Sequence, residues 1–245
     1  MKFRATVAYD GTNFCGFQYQ SNVRSVQGVL EDALATTCGQ RVRVVGAGRT
    51  DAGVHAKGQV IAFDVNWRHA PGVLLKALNA VLPEDVSIWD MMLADEAFHP
   101  RFSARSRRYE YNVVLTDVRN PLAARYAWLV RQPIDVTRMN QAAQSLLGEH
   151  DFAAFGTAPQ GEVTVRFVTR ALWHQVWDRW TTLVFEIEAN AFLFRMVRRI
   201  VKMLVRVGQG QLSVDDVTGI LASRDIRRVK GLAPACGLCL VNVSY

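Results

Sequence analysis

Two stretches of this chain read in the same order, strand, helix, strand, strand, helix, strand, and that order restricts the architecture more than any other feature. In the first, residues 3–9 alternate, with Phe3, Ala5, Val7 and Tyr9 on one face. Asp10-Gly11-Thr12-Asn13 breaks that strand with turn residues. Ser25 is placed to cap a helix with apolar positions Val26, Val29, Leu30, Ala33 and Leu34. Strand-like runs at 43–45 and 60–65 bracket a glycine-rich loop. The spacing then predicts a helix over 72–81, framed by Pro71 and Pro83, and a strand over 86–91. In the second stretch, residues 107–115 put Tyr109, Tyr111, Val113 and Leu115 on one face. Asp135 caps a helix carrying Val136, Met139, Ala142, Leu146 and Leu147, closed by Gly148. Long strands over 165–177 and 180–189 enclose a turn at Asp178-Arg179. A helix over 192–207, a short one after Ser213 and a strand over 238–245 complete it. Two split β-α-β halves make an α+β fold with a mainly antiparallel mixed sheet flanked by helices. The polar stretch 99–108 is the natural boundary, dividing the chain into 1–105 and 106–245.

The loop between the second and third strands of the first half is Gly46-Ala47-Gly48-Arg49-Thr50-Asp51-Ala52-Gly53-Val54-His55-Ala56. Its glycines permit turns closed to residues with a Cβ and allow a ligand to approach. A mere connection has no need of an arginine, a threonine, an aspartate and a histidine together. A nearby cation favours the ionised form of a carboxylate, and Arg49 is close in sequence to Asp51. Such a group can be a covalent nucleophile, a general base or a metal ligand, and local spacing does not choose among them. A phosphate cradle is disfavoured, because no G-x-x-x-x-G-K-[ST] is present.

Charge separates the two halves. Residues 1–98 carry nine basic and ten acidic side chains, and residues 99–245 carry twenty and twelve, so the net +7 resides in the second part. The excess lies in 101–131, where Phe102 and Tyr109 are interleaved, and in 195–230. Clustered arginines with interleaved rings suit a phosphate backbone and a stackable base. At 100° per residue, Arg195, Arg199, Lys202 and Arg206 form one stripe of the helix predicted over 192–207. Leu193, Met196, Val197, Ile200 and Leu204 point away, and Arg198 lies at the border. Arg105, Arg108, Arg195, Arg199 and Lys202 are therefore candidate nucleic-acid contacts.

With 245 residues, half of them apolar, the chain can form one large or two smaller globular domains. No apolar run approaches the roughly 20 residues that span a bilayer. The first residues do not resemble a signal peptide, so a cytoplasmic setting without a membrane partner is expected. Cys15, Cys38, Cys236 and Cys239 are too few and too scattered for a disulfide framework. No second C-x-x-C or paired histidine motif completes a zinc set with Cys236 and Cys239. Free buried thiols and no metal are expected.

Gly48-Arg49-Thr50-Asp51-Ala52-Gly53-Val54-His55-Ala56 closely resembles the signature of TruA-type tRNA pseudouridine synthases. Further landmarks of that family follow in order. They are Tyr9-Asp10-Gly11-Thr12 with Phe14, Gly16, Phe17 and Gln18; Val26-Gln27; Phe98-His99-Pro100-Arg101-Phe102-Ser103-Ala104-Arg105 leading into Arg108-Tyr109; His150-Asp151-Phe152; Ala191-Phe192-Leu193; Met196-Val197-Arg198; and Pro234-Ala235 with Gly237, Leu238 and Leu240. The resemblance implies two RNA-recognition-motif-like halves and isomerisation of uridine to pseudouridine at tRNA positions 38, 39 and 40. It implies a homodimer, with no cofactor. It also implies that Asp51 is the catalytic aspartate, that Tyr109 packs on the target uracil and that Arg198 pairs with the Asp51 carboxylate. Arg49 would contact RNA and help hold the target nucleotide out of the stack, with Leu240 among the substrate-binding residues. His55 is expected to be structural, holding the loop, and His150-Asp151 to mark a structural turn. A non-catalytic RNA-binding protein on the same fold is the competing expectation.

Overall fold

The computed structural model describes residues 1–131, 133–158, 161–177 and 180–245. The turn expected at Asp178-Arg179 lies outside the described residues. Two compact units are formed, Met1–Arg105 with Cys239–Tyr245, and Ser106–Leu238. One boundary between the units follows Arg105. The closing strand, assigned to the second half from sequence, groups with the first unit.

In the first unit the elements are β1 (Lys2–Tyr9), α1 (Val26–Cys38), β2 (Val45–Gly46), β3 (His55–Asp64), α2 (Pro71–Val81) and β4 (Val86–Leu93). Strand β1 is central and antiparallel to both β3 and β4. Its alternation is realised, with Phe3, Ala5, Val7 and Tyr9 buried. Phe3 stacks on Phe63 of β3, centroids 5.7 Å apart. The Ser25 hydroxyl accepts the Gly28 amide at the start of α1, and Gly39 ends that helix in the left-handed region. Pro71 opens α2, whose Leu74 and Leu78 are buried. The predicted strand over 43–45 shrinks to β2. Strand β3 instead begins at His55, inside the signature, because the closing strand Leu238–Ser244 runs parallel to it there, Cys239 opposite His55 and Leu240 opposite Ala56. Gly58 permits that approach, since a Cβ on it would lie 2.3 Å from the Val241 carbonyl oxygen.

The second unit holds β5 (Ser106–Leu115), β6 (Trp128–Val130), α3 (Val136–Gln144), β7 (Gly148–Asp151), β8 (Val165–Trp177), β9 (Thr181–Ala189), α4 (Met196–Gly208) and α5 (Val214–Ser223). The closing strand is β10 (Leu238–Ser244). Strands β5, β9, β8 and β7 are successive antiparallel neighbours, and β6 is parallel to β5. Tyr111, Trp173 and Phe185 are fully buried in this core, with the Trp173 and Phe185 rings stacked at 4.9 Å. Asn140 of α3 satisfies both the carbonyl and the amide of Trp173, at 2.8 and 2.7 Å, which joins the helix to β8. Asp135 and Ser213 cap α3 and α5 through side-chain oxygens.

Three expectations are corrected. Helix α3 stops at Gln144, so Leu146 and Leu147 lie in the turns that follow it. Helix α4 starts at Met196 because Arg195 is left-handed, with φ of 63°, and Phe194 is already bridged to Thr157. His150-Asp151 belongs to β7, not to a turn, yet both side chains are committed to structure, His150 Nε2 lying 2.7 Å from the Leu147 carbonyl. Of the cysteines, all free, Cys239 is buried whereas Cys15 is exposed. Among the described residues, no helix is long and apolar enough to cross a membrane.

Candidate active site

The loop of the first unit that carries Asp51 is held through its main chain. The Ala47 amide donates to the Val60 carbonyl at 2.8 Å, and Gln59, fully buried, donates from Nε2 to the Gly48 carbonyl at 2.9 Å. On the other side the segment 9–17 grips it. The Phe17 amide donates to the Thr50 carbonyl at 3.1 Å, and the Gly53 amide donates to the Phe14 carbonyl at 3.2 Å. The hydroxyls of Tyr9 and Thr50, both buried, lie 2.8 Å apart. Between these anchors the Val54 amide closes a turn on the Asp51 carbonyl at 3.1 Å, with Gly53 at φ of 77°.

Glycine is required at two points of the grip. A Cβ on Gly11 would sit 2.1 Å from the Val54 carbonyl oxygen. A Cβ on Gly16, whose φ is 98°, would sit 2.8 Å from the Thr50 carbonyl oxygen. His55 is buried, and its Nδ1 accepts the Gly11 amide at 3.0 Å, with Asp10 Oδ1 at 3.2 Å. Thr50 and His55 thus hold the loop, as expected for His55. Arg49 stays exposed and Asp51 half-buried, so the polar set of the signature divides into buried Thr50 and His55, which brace the loop, and the more exposed Arg49 and Asp51.

In the second unit, Tyr109 lies on the buried face of β5 between Arg107 and Tyr111, only 9% exposed. Phe192 meets its ring edge-on, centroids 5.2 Å apart at 89°. Arg198 occupies the first turn of α4. Its Nε donates to the Ala233 carbonyl at 2.8 Å, while its own carbonyl accepts the Ala233 amide at 3.1 Å. That pair fixes the stem and the plane of the guanidinium group. Tyr111 and Cys236 are its neighbours. Burial pushes the Tyr111 phenol well up, and its hydroxyl donates to the Pro234 carbonyl at 2.8 Å. Burial also pushes the Cys236 thiol up, with the Arg198 charge acting in the opposite direction.

The remaining candidates are dispersed. Leu240 is fully buried opposite Ala56, so its side chain has no exposed surface to offer a ligand and backs the strand that leaves the loop. Arg105 is exposed. Arg108 lies on the face of β5 opposite to Tyr109, with a buried Nε that has no hydrogen-bond partner among the described residues. Arg195 lies outside the helix, its guanidinium 4.6 Å from the Phe194 ring. Arg199 donates to the carbonyls of Phe155 and Phe194, both at 3.2 Å, and Lys202 rests on Trp128 at 4.8 Å. The stripe drawn on the helical wheel is therefore partly engaged in local structure.

Comparison with known proteins agrees with the loop. A family model described as tRNA pseudouridine synthase matches residues 5–103 and 142–245. A tRNA pseudouridine synthase A of Roseiflexus castenholzii is 43% identical over 241 residues, covering 98% of this chain and 88% of the relative. The chain belongs to the tRNA pseudouridine synthase family. Enzymes of the same description from Latilactobacillus sakei, 40% identical, and Pseudothermotoga lettingae, 39% identical, each cover all of this chain, with 98% and 99% of their own lengths covered. As a member, the chain is an isomerase that converts uridine to pseudouridine in tRNA. The family match also spans the parts of the site that residue chemistry alone missed, Tyr9 with Gly11 and Gly16, and Phe192. A signal for the first three was present, since glycines at 11 and 16 interspersed with Phe14 and Phe17 before a helix cap mark a close backbone approach. For Ala233, which acts through its carbonyl, no side-chain signal exists.

Proposed function

We propose that this synthase acts on uridines 38, 39 and 40 of the tRNA anticodon stem-loop, with Asp51 as the group that attacks the nucleoside. The observation that carries the reading is the loop geometry: main chain pinned on both sides of Asp51, carboxylate-bearing side chain half-exposed. The reaction breaks the N1–C1′ bond, turns the uracil over and joins C5 to C1′. Nothing is gained or lost overall, so the reaction asks for no cofactor. The carboxylate either attacks C1′ or removes a sugar proton to give a glycal, and both fit an ionised aspartate.

Detached uracil must be retained while it turns. Tyr109, held by the edge of Phe192, is assigned to stack on it, an interaction of about 1–3 kcal/mol for base–aromatic pairs. Arg198, fixed on Ala233, is assigned to pair with Asp51, and Arg49 to hold the everted nucleotide. Eversion costs a few kcal/mol, which arginine contacts to flanking phosphates offset. A homodimer in the cytoplasm, with tRNA across basic surface, completes the proposal.

The test is to incubate purified protein with tRNA transcripts and map pseudouridine at single-nucleotide resolution. Modification at 38–40 is expected. Asp51→Asn is expected to reduce turnover about 10²–10⁴-fold while tRNA affinity stays within a few fold. Near-normal turnover in that variant removes Asp51 from the mechanism.

A further inference from the structure

Phe102 presents a large apolar ring to solvent, 71% exposed. The turn itself is rigidly built. The Ser103 amide donates to the His99 carbonyl at 2.9 Å and the His99 amide donates to Ser103 Oγ at 3.1 Å. His99 Nδ1 accepts the amides of Arg101 and Phe102 at 3.2 and 3.3 Å, which orients the imidazole. The imidazole lies against one face of the Phe102 ring, centroids 4.3 Å apart and planes 31° from parallel. Tyr245 ties the turn to the end of β10, its hydroxyl donating to the Pro100 carbonyl at 2.8 Å, and the Arg4 guanidinium lies over the Tyr245 ring at 5.1 Å. The Arg101 guanidinium stands 5.5 Å from the Phe102 ring, and Arg105, four residues on, is exposed.

We propose that Phe102, backed by His99, is a stacking platform for an unpaired tRNA base other than the target uridine, with Arg101 and Arg105 serving the adjoining phosphates. A ring already braced on one side loses little freedom when a base covers the other, and positive charge beside it matches a nucleotide rather than an apolar protein surface. Phe102 is a positioning residue: it acts on the tRNA and not on the reacting atoms. The proposal rests on tRNA being the substrate.

The test is equilibrium tRNA binding by the full chain, with each variant's urea midpoint checked for folding and pseudouridine formation by the unaltered protein measured in parallel. Phe102→Ala and Phe102→Leu are expected to raise the Kd about 10-fold, and Phe102→Trp to stay near the original value. Unchanged binding by Phe102→Ala overturns the platform. So does recovery by leucine as full as by tryptophan, since leucine restores apolar contact without stacking. Conversion of a dimer to a monomer by Phe102→Ala, read by sedimentation, overturns it too, by giving the ring a protein partner. If the unaltered protein forms no pseudouridine, the synthase reading fails, while the tryptophan–leucine contrast still decides the role of Phe102.

Discussion

Asp51, in its loop, and Asp151, at the end of β7, are held in opposite ways. Around Asp51 the main chain is fixed by bonds to Phe14, Phe17 and Val60 on its neighbours, and the side chain is left half-exposed. Around Asp151 the carboxylate does the fixing. It accepts the Thr164 hydroxyl at 2.6 Å and the Ala153 amide at 3.0 Å, and it lies 3.1 Å from Arg224 Nε. Arg198 is intermediate, a long side chain whose Nε is tied to the Ala233 carbonyl. The contrast is between an aspartate whose main chain is held by its neighbours, the one assigned to chemistry in the proposed function, and an aspartate whose carboxylate does the holding.

The strongest way to break the contrast is to disturb the main chain beside Asp51 without touching the carboxylate. Gly16→Ala would place a Cβ 2.8 Å from the Thr50 carbonyl oxygen at a φ of 98°. We expect a stability loss of about 1–3 kcal/mol and a turnover loss of about 10- to 10²-fold in the folded fraction. Gly39→Ala is the control. Its φ is 70° but no atom lies within 4 Å of the added Cβ, so strain of about 1 kcal/mol should leave turnover intact. Equal turnover losses would show that backbone strain, and not the placement of Asp51, governs activity. A smaller effect is expected from Arg198→Lys, which keeps the charge and loses the Nε donor to Ala233. Turnover should fall about 10-fold, and unchanged turnover would show that the mount on Ala233 is dispensable.

Much of this arrangement is legible in the chain because it is local. Period-two alternation locates β1 and β5, and the cap residues Ser25, Asp135 and Ser213 locate three helix starts. The signature loop is legible as a site because its polar residues exceed what a turn requires. What is not legible depends on neighbours distant in sequence. Strands β6 and β7, of three and four residues, are too short for a period and exist because β5 and β8 offer edges. The start of α4 is displaced by the bridge from Phe194 to Thr157 and by a left-handed Arg195, which a helical wheel cannot register. The division of the loop into bracing Thr50 and His55 and the more exposed Arg49 and Asp51 likewise depends on Tyr9 and Gly11, some forty positions earlier.

The finest test of the contrast uses pH on the bracing aspartate. Burial pushes the Asp151 carboxyl up, but the Thr164 hydroxyl, the Ala153 amide and Arg224 together hold it below the usual carboxylate range. A depressed folded pKa means that the unfolded chain binds protons more readily, so this stabilisation is complete above the unfolded pKa of about 4 and is lost as pH falls through the folded value. Asp151→Asn should therefore cost about 1 kcal/mol in urea unfolding at pH 7, with the difference between variant and parent narrowing below about pH 4. Asp51→Asn in the same assay should shift stability by no more than about 0.5 kcal/mol, because its loop is held by main-chain bonds that the substitution leaves in place. A cost at Asp51 equal to that at Asp151 would mean that both carboxylates brace the fold. The assignment of one of them to chemistry would then need support from turnover alone.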